Sequence, residues 1–307
     1  MTESRREGLL VTVGIPVHNG ADLLSSCLDA ILAQTHQHLE VWISDNGSND
    51  ETAAVAARYA AIDDRVHMVS AGRNRGAAWN FNRVLALASG EYFMWAAVDD
   101  YCCPEFVARA VARLEEDQSA VICHSEAQPV TASGVPVGSP YLGWTNELES
   151  VRDRWLKLHR HPELHAAIYG LMRTAQAQRT RGMLPILASD LVFVSEMCVL
   201  GKLVQIPGAL QRKRVPEPGA RYRSRSQTLE MLGADCSSLG AALVPLRGRA
   251  LAECVRALRL LEVPWRLSSR LALDALWIYI AETIWLVDLK ESVLGLLAEV
   301  GFRRGIV

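Results

Sequence analysis

The sequence predicts an α/β protein: a Rossmann-like sheet flanked by helices, with a C-terminal helical region behind it. Three observations lead there. Between residues 10 and 124, short apolar runs bounded by turn residues alternate with helical patterns, as crossover units on one sheet require. Beyond about residue 228 the pattern becomes almost purely helical. Half of the 307 residues are hydrophobic, enough for a large core.

The elements follow in order. The first strand is 10-LVTVGIPV-17, and the helix after it lines up Leu24, Leu28, Ile31 and Leu32 on one face. The second strand, 40-EVWISD-45, leads to a helix for which Ser48 and Glu51 are spaced as a capping box. The third, 65-RVHMVS-70, precedes a helix that starts near Gly76 and turns Phe81, Val84, Leu85 and Ala88 to one side, with Gly90 as its C-terminal stop. The fourth, 91-EYFMWAAV-98, carries the acidic pair Asp99–Asp100 out of the core. Pro104 then opens a helix with Val107, Val111 and Leu114 inward and Arg109, Arg113 and Glu116 outward. A fifth strand is 120-AVICH-124.

The second half is less regular. Residues 131–145 are rich in Gly, Pro and Ser and read as a long loop, a length typical of lids and binding loops. Helices are expected over 149–158 and 163–178. Ser189–Asp190 opens another, which runs through Glu196 and Leu200 to Gly201, and 203-LVQIP-207 reads as a last strand. Residues 212–227, rich in Arg and Lys with two prolines, read as an irregular basic linker. After it, Leu251, Val255, Leu258 and Leu261, then Leu271, Ala275, Ile278 and Trp285, follow helical spacing.

Bulk properties exclude several classes. A net charge of −2, from 32 basic and 34 acidic residues, argues against general nucleic-acid binding. The seven cysteines fit neither a zinc site nor a disulfide framework, so buried free thiols in a reducing, cytoplasmic setting are expected. The polar start MTESRREG and the strand after it do not form a signal peptide. Residues 271–287 are apolar around most of their circumference but contain Asp274 and Glu282. They are expected to be non-spanning and buried instead against the rest of the chain, a second copy or a membrane surface.

The first strand lacks the Gly-rich dinucleotide fingerprint, and no P-loop is present. Four other features converge on the carboxyl edge of the sheet, where open α/β proteins bind ligands. Strand one ends at Pro16–Val17–His18–Asn19, strand two at Asp45–Asn46–Gly47–Ser48, the third helix is entered through 73-RNRGAAWN-80, and strand four ends at Asp99–Asp100. Asp45 can accept hydrogen bonds from a base or ribose, and Arg73 and Arg75 can face a uracil or a phosphate. Two adjacent carboxylates can hold a divalent cation that neutralises a diphosphate. Each piece also has a plain reading: Asp45–Ser48 as a turn and N-cap, Asn74 and Gly76 as helix entry, His18 as a loop histidine, Asp99 or Asp100 as a helix cap.

The set VTVGIPVHN, SDNGSND, NRGAAWN and AAVDDYCCP, in this order over roughly residues 9–210, resembles the inverting glycosyltransferases of family 2, which have the GT-A fold, a mixed sheet between helices. The resemblance implies a nucleotide-sugar donor, usually UDP-linked, a divalent Mn²⁺ or Mg²⁺, and single-displacement transfer to a hydroxyl of a polysaccharide, glycolipid or small molecule. It assigns Pro16, Val17, His18, Asn19, Asp45, Arg73, Arg75 and Asp99 to the nucleotide, Asp99 and Asp100 to the metal, and Asp190 to the catalytic base, with Glu196 as the fallback. Arg221, Arg223 and Arg225 would lie on a loop closing over the diphosphate. The acidic motif here is Asp-Asp-Tyr where many members have Asp-x-Asp, so Tyr101 stands in for a third acid.

The expected division is a catalytic domain over 1–211, with the nucleotide-sugar part over 9–125 and the acceptor side over 126–211, a basic linker over 212–227, and a helical region over 228–307. Tyr141, Trp144, Trp155, His159, His161, His165 and Tyr169 are candidates for the acceptor side. A homodimer through the C-terminal helices and a peripheral contact with the inner membrane face are the expected associations. The competing functions are a nucleotidyltransferase that makes a nucleotide-sugar and a non-catalytic scaffold with a degenerate site.

Overall fold

The computed structural model describes residues 8–140, 145–161, 167–215 and 246–281. The first half is the expected alternation. Strands β1 (Val11–Val17), β2 (Leu39–Asp45), β3 (Val66–Ser70) and β4 (Tyr92–Trp95) are joined by helices α1 (Ala21–Leu32), α2 (Thr52–Ile62) and α3 (Ala77–Leu87). β1 pairs in parallel with β2 and β4, and β2 with β3, so the carboxyl ends of all four lie on one edge. β1 is almost wholly buried, which is why it is apolar along nearly its whole length rather than alternating.

Two local signals resolve differently. Ser48 does not cap α2: its hydroxyl accepts from the Asn19 amide at 2.9 Å, and Asp50 Oδ1 accepts from the Thr52 amide at 3.0 Å instead. Gly90 is required by a close approach, since a Cβ there would lie 2.5 Å from the Leu10 carbonyl oxygen.

The second half departs from expectation because its pairings are long-range. The apolar run expected as strand 91–98 breaks after Trp95, and Asp100 donates its amide to the Ala97 carbonyl at 3.2 Å to close a turn. The chain then starts the short strand β5 (Asp100–Cys102). Helix α4 (Phe106–Glu116) and strand β6 (Ala120–Val130) follow, then helix α5 (Val151–Arg160). In place of a helix over 163–178 the described residues form a short turn, strand β7 (Leu171–Arg173) and a single helical turn, α6 (Thr174–Ala177). β7 inserts antiparallel between β4 and β6, pairing Phe93 and Ile122 through Met172. Sheet pairing overrides the local helical spacing there.

Helix α7 (Ser189–Leu200) leads into β8 (Lys202–Arg214), 13 residues long and well beyond the expected 203–207. β8 runs parallel to β6 and antiparallel to β5, so Arg212, Lys213 and Arg214 belong to a strand and not to an irregular linker. The complete order is β3-β2-β1-β4-β7-β6-β8-β5, a mixed sheet with helices packed on it.

Helices α8 (Leu246–Leu260) and α9 (Trp265–Ala281) dock on α7 and α5. Cys254, Leu258, Leu271 and Ala275 bury against Trp155, Ile186 and Val192. Two ion pairs fasten this contact, Arg152 Nε–Asp274 Oδ2 at 2.8 Å and Arg181 Nη1–Glu253 Oε2 at 2.6 Å. The part of the 271–287 segment beyond residue 281, including Glu282 and Trp285, lies outside the described residues, as does Cys236. The other six cysteines are free thiols, five of them buried. Among the described residues no helix is long and apolar enough to cross a membrane.

His159, in the last turn of α5, stacks on Trp155 with ring centroids 4.4 Å apart, and its Nδ1 lies 2.9 Å from the Trp155 carbonyl. Its Nε2 is buried with no partner among the described residues, and burial pulls the imidazole down to about 4. The folded pKa is below the unfolded one, so the neutral ring stabilises the fold fully above about pH 6.5 and that stabilisation is lost as pH falls toward 4. A loss of about 3 kcal/mol is expected over that window. Urea titrations at pH 7 and pH 4.5 should show a smaller drop for His159→Phe than for the parent chain. Equal drops would place the acid sensitivity elsewhere.

Candidate active site

The nucleotide-side edge is assembled by asparagines and small polar groups. At the end of β1, Asn19 adopts a left-handed conformation (φ 53°). Its side chain accepts from the Asn49 amide at 3.0 Å, while the Gly20 and Ala21 amides donate to Thr52 Oγ1 and Asp50 Oδ2. The loop after β1 is thereby stitched to the loop after β2. Asp45, at the end of β2, is buried, with Oδ1 accepting from the Ser48 amide at 3.0 Å and Oδ2 from the Ser70 hydroxyl at 2.9 Å. Asp45 therefore shapes its own turn and is already hydrogen-bonded on both oxygens.

Two buried asparagines, not singled out from the sequence, hold the third segment. Asn46 donates to Asn74 Oδ1 and the Gly76 carbonyl and accepts from the Arg75 amide. Asn80 donates to the Val17 and Ser44 carbonyls and accepts from the Ser44 hydroxyl. Gly47 (φ 71°) lets residues 73–74 approach, since a Cβ there would sit 2.5 Å from the Arg73 backbone.

Of the remaining nucleotide-side candidates, Val17 is a core side chain and presents only its backbone, while Pro16 is half-buried and His18 is exposed. Arg73 and Arg75 are exposed at the rim. The Arg75 guanidinium stacks on Trp79 at 4.1 Å from the ring centre. Arg221, Arg223 and Arg225 lie outside the described residues, as do Tyr141, Trp144 and His165.

The acidic pair is split by the break after Trp95. Asp99 is exposed in the turn and Asp100, first residue of β5, is mostly buried. Register places Asp100 opposite Lys213 of β8, and Lys213 Nζ lies 2.5 Å from Asp100 Oδ2 while the Arg214 amide donates to Oδ1 at 3.1 Å. Burial pushes the Asp100 carboxyl up; the Lys213 charge opposes this and Asp99 adds to it. Lys213 also sits 3.7 Å from the centre of the Tyr169 ring, whose carbonyl accepts from Gln211 Nε2. The Tyr169 phenol is pushed up by burial and then by Asp100, Asp99 and Asp190.

Asp190 enters from α7. The residue before the helix, Ala188, is left-handed (φ 56°), an unusual conformation for a residue with a Cβ. Ala188 is the N-cap, Ser189 accepts from the Leu184 amide, and Asp190 falls in the first turn with Oδ1 accepting from the Leu191 amide at 2.9 Å. Asp190 is therefore not the helix N-cap. Glu196, the fallback base, is 1% exposed and gripped by Arg181 through Nε–Oε1 at 2.7 Å and the Arg181 amide at 2.8 Å. It belongs to the anchor of the C-terminal helices and is withdrawn as a base.

Among the described residues no group of three His, Cys, Asp or Glu is placed to hold a metal. Asp100 accepts from Lys213 Nζ on Oδ2 and from the Arg214 amide on Oδ1, while Asp99 beside it is exposed. Lys213 already neutralises the more buried of the two.

The fold and this edge define the GT-A class. Residues 12–159 match the family model described as Glycosyl transferase family 2. A stretch of 91 residues, 30% of this chain and 36% of the relative, is 36% identical to the putative teichuronic acid biosynthesis glycosyltransferase TuaG of Bacillus subtilis. The chain spans between about a third and a half of the length of the first curated relatives it matches, from 36% to 48%. In solved structures it superposes on S. aureus TarS 1-349 in complex with UDP, with TM-score 0.56 and 17% identity over 97% of this chain and 94% of that one. It also superposes on the mannosyltransferase PcManGT of Pyrobaculum calidifontis in complex with GDP-Man and Mn²⁺, with TM-score 0.52 and 19% identity over 96% and 88%. At these identities the superpositions speak for the fold.

Proposed function

We propose that the chain transfers a sugar from a nucleotide-sugar, UDP-linked, to an acceptor hydroxyl with inversion, Asp190 acting as base. The observation that carries this is the placement of Asp45 at the end of β2 and of the Asp99–Asp100 turn after β4 on one carboxyl edge of the sheet. The similar TarS structures with UDP and with UDP-GlcNAc support the donor class.

In this reading the uracil and ribose lie over Asp45 and the 73–76 segment, and the diphosphate points to the Asp99–Asp100 turn. Asp190 takes the proton of the acceptor hydroxyl as its oxygen attacks the anomeric carbon, and the glycosidic oxygen leaves with the bonding pair on the nucleoside diphosphate. A divalent cation, when bound, neutralises charge on that leaving group. Asp99 and Asp100 would hold it. Lys213 adds a fixed positive charge at the same place.

Calorimetric titration with UDP, dTDP and GDP in the presence of Mn²⁺ tests the nucleotide. UDP is expected to bind, and Asp45→Asn to weaken it by about 1–3 kcal/mol, the range for hydrogen bonds to a charged group. Asparagine keeps an acceptor for the Ser48 amide, so the turn survives. Unchanged UDP affinity in that variant removes Asp45 from the site, and absence of heat with all three nucleotides removes the function.

A further inference from the structure

The two C-terminal helices sort their charges by face. The acids on α8 and α9, Glu253 and Asp274, are both turned inward and paired to Arg181 and Arg152. Their described cations are not: Arg249, Arg256, Arg259, Arg266 and Arg270 are all exposed. Arg256 only skirts Glu253 at 3.9 Å.

Between these cations lies an apolar surface that the domain leaves uncovered. Trp265 is 74% exposed, Trp277 67% and Leu273 66%, and Leu276 is also exposed. A groove between the helices joins Trp265, Leu273 and Leu276 to Val255 and Val263, with Arg259 at its edge. Single exposed leucines need no explanation, but two exposed indoles beside leucines on one helix face do. Indole favours an interface where one end of the ring is apolar and the other wet. An apolar face rich in Trp and Leu, flanked by arginines, is the pattern of a helix that lies in the plane of a bilayer surface.

Charge decides the occupant. A two-fold pairing of this face with a second copy would bring two surfaces of the same positive charge together. Among the described residues the hairpin's only exposed acid is Glu262, in the turn between the helices. An anionic surface answers Arg259, Arg266 and Arg270 beside this patch at once. Among the described residues no helix is long and apolar enough to cross a bilayer.

We propose that the outer face of α8 and α9 docks the protein on an anionic lipid surface, with Trp265, Leu273, Leu276 and Trp277 entering the headgroup layer and the arginines meeting the phosphates. This stands apart from the transferase reading, since it uses no residue of that site.

The test is co-sedimentation of the full chain with phosphatidylcholine vesicles and with vesicles in which a third of the lipid is phosphatidylglycerol. Binding is expected to the anionic vesicles alone and to fall by about tenfold or more in 1 M salt, where the Debye length is about 3 Å. Two independent variants, Trp265→Ser with Trp277→Ser, and Arg259→Gln with Arg266→Gln and Arg270→Gln, should each lose about tenfold or more. All five positions are exposed, so the melting temperature should hold; should one variant unfold, the other and the salt series still decide. Failure of the parent chain to sediment with anionic vesicles overturns the proposal. So does undiminished binding in both variants, or a light-scattering dimer that both variants dissociate.

Discussion

Asp190→Asn is expected to lower sugar transfer by about two to four orders of magnitude while leaving UDP affinity within about threefold. Three features of the structure concentrate the effect on chemistry. Asp190 lies in the first turn of α7 and is not its N-cap, so the helix start rests on Ala188 and Ser189 and tolerates the change. Asparagine keeps an oxygen for the Leu191 amide. The other carboxylate of α7, Glu196, is locked to Arg181 and cannot take over the proton. Single-turnover measurements with a UDP-sugar should show the loss in the chemical step and not in binding. Near-normal turnover would remove the base role from Asp190, and raised pH should then fail to rescue any residual deficit through this residue.

How much of this was legible in the sequence follows from where the information lies. The parallel half could be read locally: β1 to β4 are short apolar runs, their helices carry one buried stripe each, and the site motifs sit at the strand ends. The antiparallel half could not. β7 is three residues long and has no period to detect. Arg212, Lys213 and Arg214 look like linker because three cations in a row rarely form a strand, yet their partners in β5 lie more than a hundred residues earlier. The Lys213–Asp100 pair is invisible for the same reason. Glu196 resembled a free carboxylate on a helix because nothing near it in sequence announces Arg181 as its partner. Asp190 looked like a cap because Ser-Asp usually begins a helix, and only the left-handed Ala188 shifts the cap by two positions. Asn46 and Asn80 were hidden in plain motifs, since an amide that satisfies buried carbonyls reads like one that faces solvent.

Asp100→Asn is expected to cut transfer by about a hundredfold or more and, unlike the change at Asp190, to lower stability as well. The Lys213 ammonium and the Asp100 carboxylate are both largely buried, with 11% and 18% of their side chains exposed. Removing one charge leaves the other poorly solvated, which costs about 1–3 kcal/mol. The two effects separate in a double variant. Lys213→Met with Asp100→Asn restores thermal stability by removing the stranded cation, because a paired charge and a matched apolar replacement differ little in free energy. It does not restore transfer, since the leaving diphosphate then meets neither the carboxylate that would hold a divalent cation nor the lysine itself. The cation contribution is measured in the parent chain. Excess EDTA should abolish transfer, and Mn²⁺ or Mg²⁺ should return it. Full activity in EDTA, with loss of activity in Lys213→Met alone, would assign the neutralising charge to the lysine and take the metal out of the mechanism. Recovery of transfer in the double variant would take the acidic pair out as well.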